Sequence, residues 1–298
     1  MTQTSTANVP QAVSNVRAPQ RSNWWGRAWG GLVVGCMTLF LLNVGLMIAS
    51  VATNSIAQRW FGTWLPDGFT FNWYAEAWKE FQLGDVLVVT VQVVFSVVFL
   101  ALLIGVPAAY ALARREFVGK RLLMGLFLLP LMVPPITYGI PLATLMYKLH
   151  LAGTLLGVIL ANLLPALPFV ILVMTPFIEQ IDPNLESAAR VFGARTSKVF
   201  RYILVPLLGP GILAASLLVL VRTIAMFELT FMTAGADTQT LVVALYYAVF
   251  AAGVRAPQSI DAMAMVYMTV TLIFLLIAMR FVSPTQLVSR VREHPQAT

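Results

Sequence analysis

The stretch Asp182–Pro206, DPNLESAARVFGARTSKVFRYILVP, is the one long polar interruption in the second half of a very apolar chain. Asp182 before Pro183 opens a helix: the carboxylate caps free amides, and proline is preset for the first helical position. Leu185, Ala188, Ala189 and Phe192 follow at i, i+3, i+4 and i+7 and share one face. Gly193 falls where a helix ends on a left-handed residue, and a second helix can begin at Thr196 or Ser197. Arg190, Arg195, Lys198 and Arg201 surround this short helix, glycine turn and second helix with positive charge, and the small alanines let another surface approach closely. Such a device on one side of an apolar protein is a docking element.

The chain around it has 298 residues, 59% of them hydrophobic and 10% charged, with mean hydropathy +0.83. That is the composition of a multi-pass membrane protein. Six segments have the roughly 20 apolar residues that a crossing needs; they fall near residues 30–53, 86–112, 122–147, 153–178, 206–233 and 261–282. Trp24, Trp25 and Trp29 precede the first as an interfacial anchor. The expected organisation is a cytoplasmic tail over 1–29, a six-helix domain over 30–282 with the polar loop at 179–206, and a second cytoplasmic tail over 283–298.

The net charge of +7 does not indicate nucleic acid, because the basic residues sit in short loops between spans. With the N-terminus inside, the cytoplasmic segments carry Arg17, Arg21, Arg27, Arg114, Arg115, Lys120, Arg121, Arg190, Arg195, Lys198, Arg201, Arg280, Arg290 and Arg292. The outer side holds only Arg59, Lys79, Lys148 and Arg255. Both termini and the 182–206 loop are therefore expected in the cytoplasm.

Outside, residues 54–85 carry Trp60, Trp64, Trp73, Tyr74 and Trp78, suited to the membrane surface or to receiving a partner. TLVVALYYAVFAAG, from residue 240, is apolar but too short to cross and reads as a half-helix. Spans three and four carry Pro130, Pro134, Pro135, Pro141, Pro165, Pro168 and Pro176, each of which removes a backbone bond and bends its helix. These breaks suit a moving pathway and equally suit kinked packing.

Catalytic chemistry has little to work with. GxxxxGK[ST], HExxH and GxSxG are all missing, so neither ATP binding through a Walker loop nor hydrolysis by those routes is expected. The single Cys36 and the histidines His150 and His294 supply neither a disulfide framework nor a metal cluster, and no cofactor is expected. Within the expected fifth span lie Arg222 and Glu228, with Phe231 beyond them. A charge at the bilayer centre costs about 2.5–3.5 kcal/mol on insertion scales. Such residues face a wet path or satisfy a neighbouring helix, and both readings stand for Glu228. Arg222, Glu228 and Phe231 form the candidate substrate path.

The 182–206 loop resembles the cytoplasmic signature of ABC-transporter permeases of the type I importer class: E-A-A, three residues, G, nine residues, then I-x-L-P. Ala188, Ala189, Gly193, Ile203 and Pro206 fit at those spacings, while Ser187 takes the Glu position, with Glu186 just before it, and Val205 stands for Leu. ARREFVGKR, LLPLMVPPITYGIPL and TLVVALYYAV look like the same family, and the second permease subunit of spermidine/putrescine systems is the nearest subgroup.

The resemblance implies an all-α membrane protein with six transmembrane helices in the type I importer permease fold. It places the chain in a bacterial inner membrane as a non-catalytic subunit. It further implies a second permease subunit in a heterodimer, two cytoplasmic ATP-binding subunits and an external solute-binding protein. Glu186, Ser187, Ala188, Ala189, Phe192, Gly193, Ile203 and Pro206 are then the ATPase-coupling residues, and the cargo is a polyamine or similar small organic solute. The rivals are an ion-coupled secondary carrier using Glu228, Arg222 or Asp261, and a scaffold without transport.

Overall fold

The computed structural model describes residues 24–250 and 255–281. Residues 1–23 of the tail expected over 1–29, residues 251–254 of the short apolar stretch, and residues 282–298, which include the whole tail expected over 283–298, lie outside the described residues. The fold is helical, and the nearest thing to a strand among the described residues is one isolated bridge, Ala57 to Phe69.

Among the described residues five helices are long and apolar enough to cross a membrane, and a bent pair makes a sixth crossing if counted as one span. The first, α1 (Trp24–Ile56), begins six residues before the expected boundary and takes in the tryptophans placed ahead of it. A short α2 (Asn72–Glu80) leads into α3 (Leu83–Arg114). Then come α4 (Lys120–Met132), α5 (Pro135–Lys148) and α6 (Leu155–Glu179). The buried core forms where α3, α6 and α9 (Val205–Ile224) meet, around Val97, Ala101, Val170, Met174, Leu208 and Ala215. Close approach there depends on Gly105: a Cβ on it would sit 2.7 Å from Val170 Cγ1.

The third expected span, 122–147, is not a single rod. α4 and α5 meet at a 99° bend. The cause is the Pro134–Pro135 tandem. A residue before proline is pushed out of the helical region, and here Val133 and Pro134 both precede one; both are extended, with ψ of 134°. The isolated prolines Pro165, Pro168 and Pro176 leave α6 a single helix. Separate prolines cost bonds; consecutive ones forbid the turn.

The fifth expected span, 206–233, also needs correction. Its helical run starts at Thr196 with α8 (Thr196–Val199), passes through a π turn at Phe200–Leu204 and ends with α9 at Ile224. Glu228 and Phe231 belong to a separate short helix, α10 (Glu228–Thr233). No proline or glycine marks this break; tertiary bonds hold it. Asn162 Nδ2 donates to Thr230 Oγ1 at 3.0 Å, and the Thr233 carbonyl accepts the Gly153 N–H at 2.9 Å.

The expected half-helix is α11 (Leu241–Phe250), held by its Leu241 N–H donating to Thr90 Oγ1 at 2.9 Å. The final helix is α12 (Pro257–Phe281). Where α12 begins, an outer clamp on the expected topology, Glu80 pairs with Arg255 at 3.0 Å and accepts from Ser259 Oγ at 3.1 Å, while Asn54 Nδ2 donates to Asp261 Oδ2 at 2.6 Å. The aromatic segment divides: Trp73 Nε1 donates to the Ala57 carbonyl, Tyr74 bonds Ser55, and Trp64 stays exposed.

Candidate functional site

The 182–206 loop builds a short helix, α7 (Pro183–Val191), largely as local chemistry dictates. Asp182 Oδ1 accepts the Asn184 N–H at 2.9 Å, and Pro183 takes the first turn. The far end closes as a Schellman motif: the Ala194 N–H donates to Ala189 O at 3.0 Å and the Gly193 N–H to Arg190 O at 2.9 Å. Gly193 has φ of +80°, where an L side chain is strained.

Leu185, Ala188 and Phe192 are exposed, Phe192 to 91%, while Ala189 packs partly against the core. An amphipathic helix normally buries its apolar stripe. This one presents it outward.

Glu186 does the opposite. Its side chain is 8% exposed and accepts from Tyr110 Oη at 2.6 Å and from Arg114 Nε at 2.8 Å. The same guanidinium donates through Nη2 to the Ile181 carbonyl at 2.7 Å. Arg190 stands 4.0 Å off on the outer side. Withdrawing a carboxylate from water costs several kcal/mol unless its lone pairs are filled; here they are. Ser187, next in sequence, is exposed and bonds back to the Pro183 carbonyl at 3.3 Å. The loop's acid thus faces inward rather than toward a partner.

Tyr110 also sets its ring edge-on to Phe200, 5.8 Å between centroids. Phe200 opens the π turn, which Pro206 explains: it has no N–H to give, and its ring crowds the Tyr202 carbonyl four residues back. The helix widens, and the Val205 N–H reaches back to Phe200 O. Ile203 is half-buried against the core. The segment from 197 onward is therefore not a uniform rod.

The candidate path residues scatter over more than one element. Arg222, near the end of α9, lies 5.4 Å over the Phe169 ring. Glu228 opens α10 and is half-buried. Neither makes an ion pair with another described residue. Phe231 stacks on Phe227 at 5.1 Å and meets Tyr246 and Tyr247 at 5.2 and 5.7 Å. Tyr138 Oη and Asn162 Oδ1 are buried without a partner among the described residues. Asp261 and Arg255 are engaged in the outer clamp and do not join this group.

Sequence reading missed Tyr110, Arg114, Tyr138 and Asn162. A lone Asn inside an apolar span was the available signal for the last. Arg114 had been counted only for the side it marks.

A bundle of apolar spans with one sharply bent crossing, and a short helix whose apolar stripe is exposed, fits a membrane transport subunit. The chain belongs to the binding-protein-dependent transport system inner membrane component family, whose family model matches residues 101–293. It is thus an ABC importer permease, a multi-pass protein of the inner membrane.

It is 33% identical over 202 residues to a trehalose transport system permease protein of Mycobacterium tuberculosis, covering 68% of this chain and 72% of that one. It is 29% identical over 223 residues to a putative 2-aminoethylphosphonate transport system permease protein of Salmonella typhimurium, covering 74% and 83%. The fold matches a chain of a bacterial ABC transporter involved in import of the acidic polysaccharide alginate, with TM-score 0.73, 18% identity and coverage of 89% and 100%. None of the three is named for a polyamine, so the spermidine/putrescine subgroup gains no support from them.

Proposed function

We propose that this chain couples ATP-driven motion of cytoplasmic subunits to alternating access in an importer, with α7 as the docking helix. The observation that carries this is the outward apolar stripe of Leu185, Ala188 and Phe192 on a capped helix whose acid is turned inward. On this reading two ATP-binding subunits engage the complex from the cytoplasm, where both termini of this chain also lie. A second permease subunit completes the path, and a solute-binding protein delivers cargo from outside. ATP hydrolysis takes place on the partner chains.

The test is co-purification. Phe192 is so exposed that Phe192→Asp should not disturb folding, yet hot-spot losses at interfaces run to about 2–4 kcal/mol. The variant should release the ATPase from the tagged permease and abolish import. An intact complex would overturn the docking reading. A secondary carrier would come out alone in the wild type too.

For the cargo, we favour a small polar organic solute carrying both charges or none over a polyamine. The relatives named above are named for trehalose and 2-aminoethylphosphonate rather than for a polycation, and Arg222 has no carboxylate partner among the described residues. Glu228→Gln should then lower uptake of neutral and cationic solutes to a similar degree. A selective loss of cation uptake would restore the polyamine.

A further inference from the structure

We propose that Tyr110, Arg114 and Glu186 form a positioning clamp that makes the docking helix α7 and the transmembrane helix α3 one moving body. This rests on α7 being where the ATPase docks.

Beyond the short linker to α6, α7 is joined covalently to α9 and non-covalently to α3, and these two connections differ in stiffness. The covalent one runs through Gly193 at φ +80°, an exposed Arg195 and a π turn before α9 begins. Each is a place where backbone direction changes easily; π turns lack the tight spacing of the α ladder. The non-covalent one is a charge-assisted cluster. Glu186 accepts at 2.6 and 2.8 Å, and Arg114 donates onward to Ile181 O at 2.7 Å, bracing the linker between α6 and α7 with the same guanidinium.

Arg114 and Glu186 side chains are 14% and 8% exposed, so water neither screens the pair nor competes well for it. Arg114 also lies in the last turn of α3, where the helix dipole favours a cation. α3 in turn packs along α6 with Gly105 against Val170, so displacement of α7 is handed to the bundle's central pair. Tyr110 touches both routes, through Oη to Glu186 and through its ring to Phe200. It times the movement of α9 to that of α3.

The experiment is distance measurement between spin labels in the purified complex, with Cys36→Ser and label pairs at Asn184→Cys with Ala111→Cys, and Asn184→Cys with Leu207→Cys. All three labelled positions are exposed. Each pair is compared without nucleotide and after trapping with ATP and vanadate. The 184–111 distance should hold constant while the 184–207 distance shifts by on the order of 2 Å or more, as helix displacements do. In Glu186→Gln the 184–111 distribution should broaden and become nucleotide-dependent.

A wild-type 184–111 distance that changes on trapping overturns the proposal. So does a 184–207 distance that stays fixed, since α9 would then be driven as directly as α3. Should Glu186→Gln fail to assemble, Tyr110→Phe, which removes a single hydroxyl, decides: an undisturbed 184–111 distance there counts against the clamp. Failure of the docking reading itself is seen separately, as ATPase retained by Phe192→Asp.

Discussion

The 182–206 loop and the region between Tyr138 and Phe250 treat their buried polar groups in opposite ways. In the loop, Glu186 has Tyr110 and Arg114 as partners, and Arg114 serves Ile181 as well. In the other region Tyr138 Oη, Asn162 Oδ1 and Thr240 Oγ1 are buried with no protein partner, and Arg222 rests only on a ring face. A fully satisfied network rigidifies; a partly satisfied one is costly to keep in one arrangement. The contrast fits a part that must transmit force without yielding and a part that must exchange partners as cargo passes.

The largest expected effect comes from breaking the satisfied side. Glu186→Ala leaves Arg114 buried beside nothing that can neutralise it, and removing one partner of such a pair costs roughly 3–5 kcal/mol. Thermal unfolding in detergent should fall by several degrees, whereas Ser187→Ala, one residue on and exposed, should move it by less than about 0.5 kcal/mol. Equal effects at the two positions would erase the distinction between inward and outward residues on α7.

Next in size is Gly193→Val. A Cβ there meets nothing within 4 Å, so the whole cost is conformational, about 1–2 kcal/mol for a left-handed L residue. Gly193→Asn should recover part of it, since Asn tolerates that region. If valine and asparagine behave alike, the turn is not holding the end of α7.

The smallest effect on stability should come from Asn162→Leu on the unsatisfied side. It forfeits two hydrogen bonds, to Thr230 Oγ1 and the Val158 carbonyl, each worth about 1 kcal/mol, but also removes an unpaired buried carbonyl, which offsets much of the loss. Uptake, measured in vesicles with any transported solute, should fall far more than stability does. A variant that is strongly destabilised would place Asn162 with the rigid half instead.

How much of this was legible in the chain follows a simple division. The capped start at Asp182–Pro183, the glycine stop at Gly193 and the half-helix at residues 241–250 were all readable, because each is set by neighbours within a few residues. The 99° bend was half-readable: the prolines were counted, but only the Pro134–Pro135 tandem breaks the helix. The end of α9 at Ile224 carried no local signal, since Asn162 and Gly153, distant in sequence, hold α10 apart.

The sequence by itself determined the membrane class, the loop, its local helix and its family spacing, since hydropathy and capping are properties of short stretches. Only the tertiary structure decided which way each residue of that loop faces. Glu186 and Ser187 are adjacent and both polar, yet one is buried against α3 and the other is in the open. The choice depends on Tyr110 and Arg114 arriving from more than seventy residues away. No periodicity within the loop encodes that meeting; only the packing of α3 beside it does.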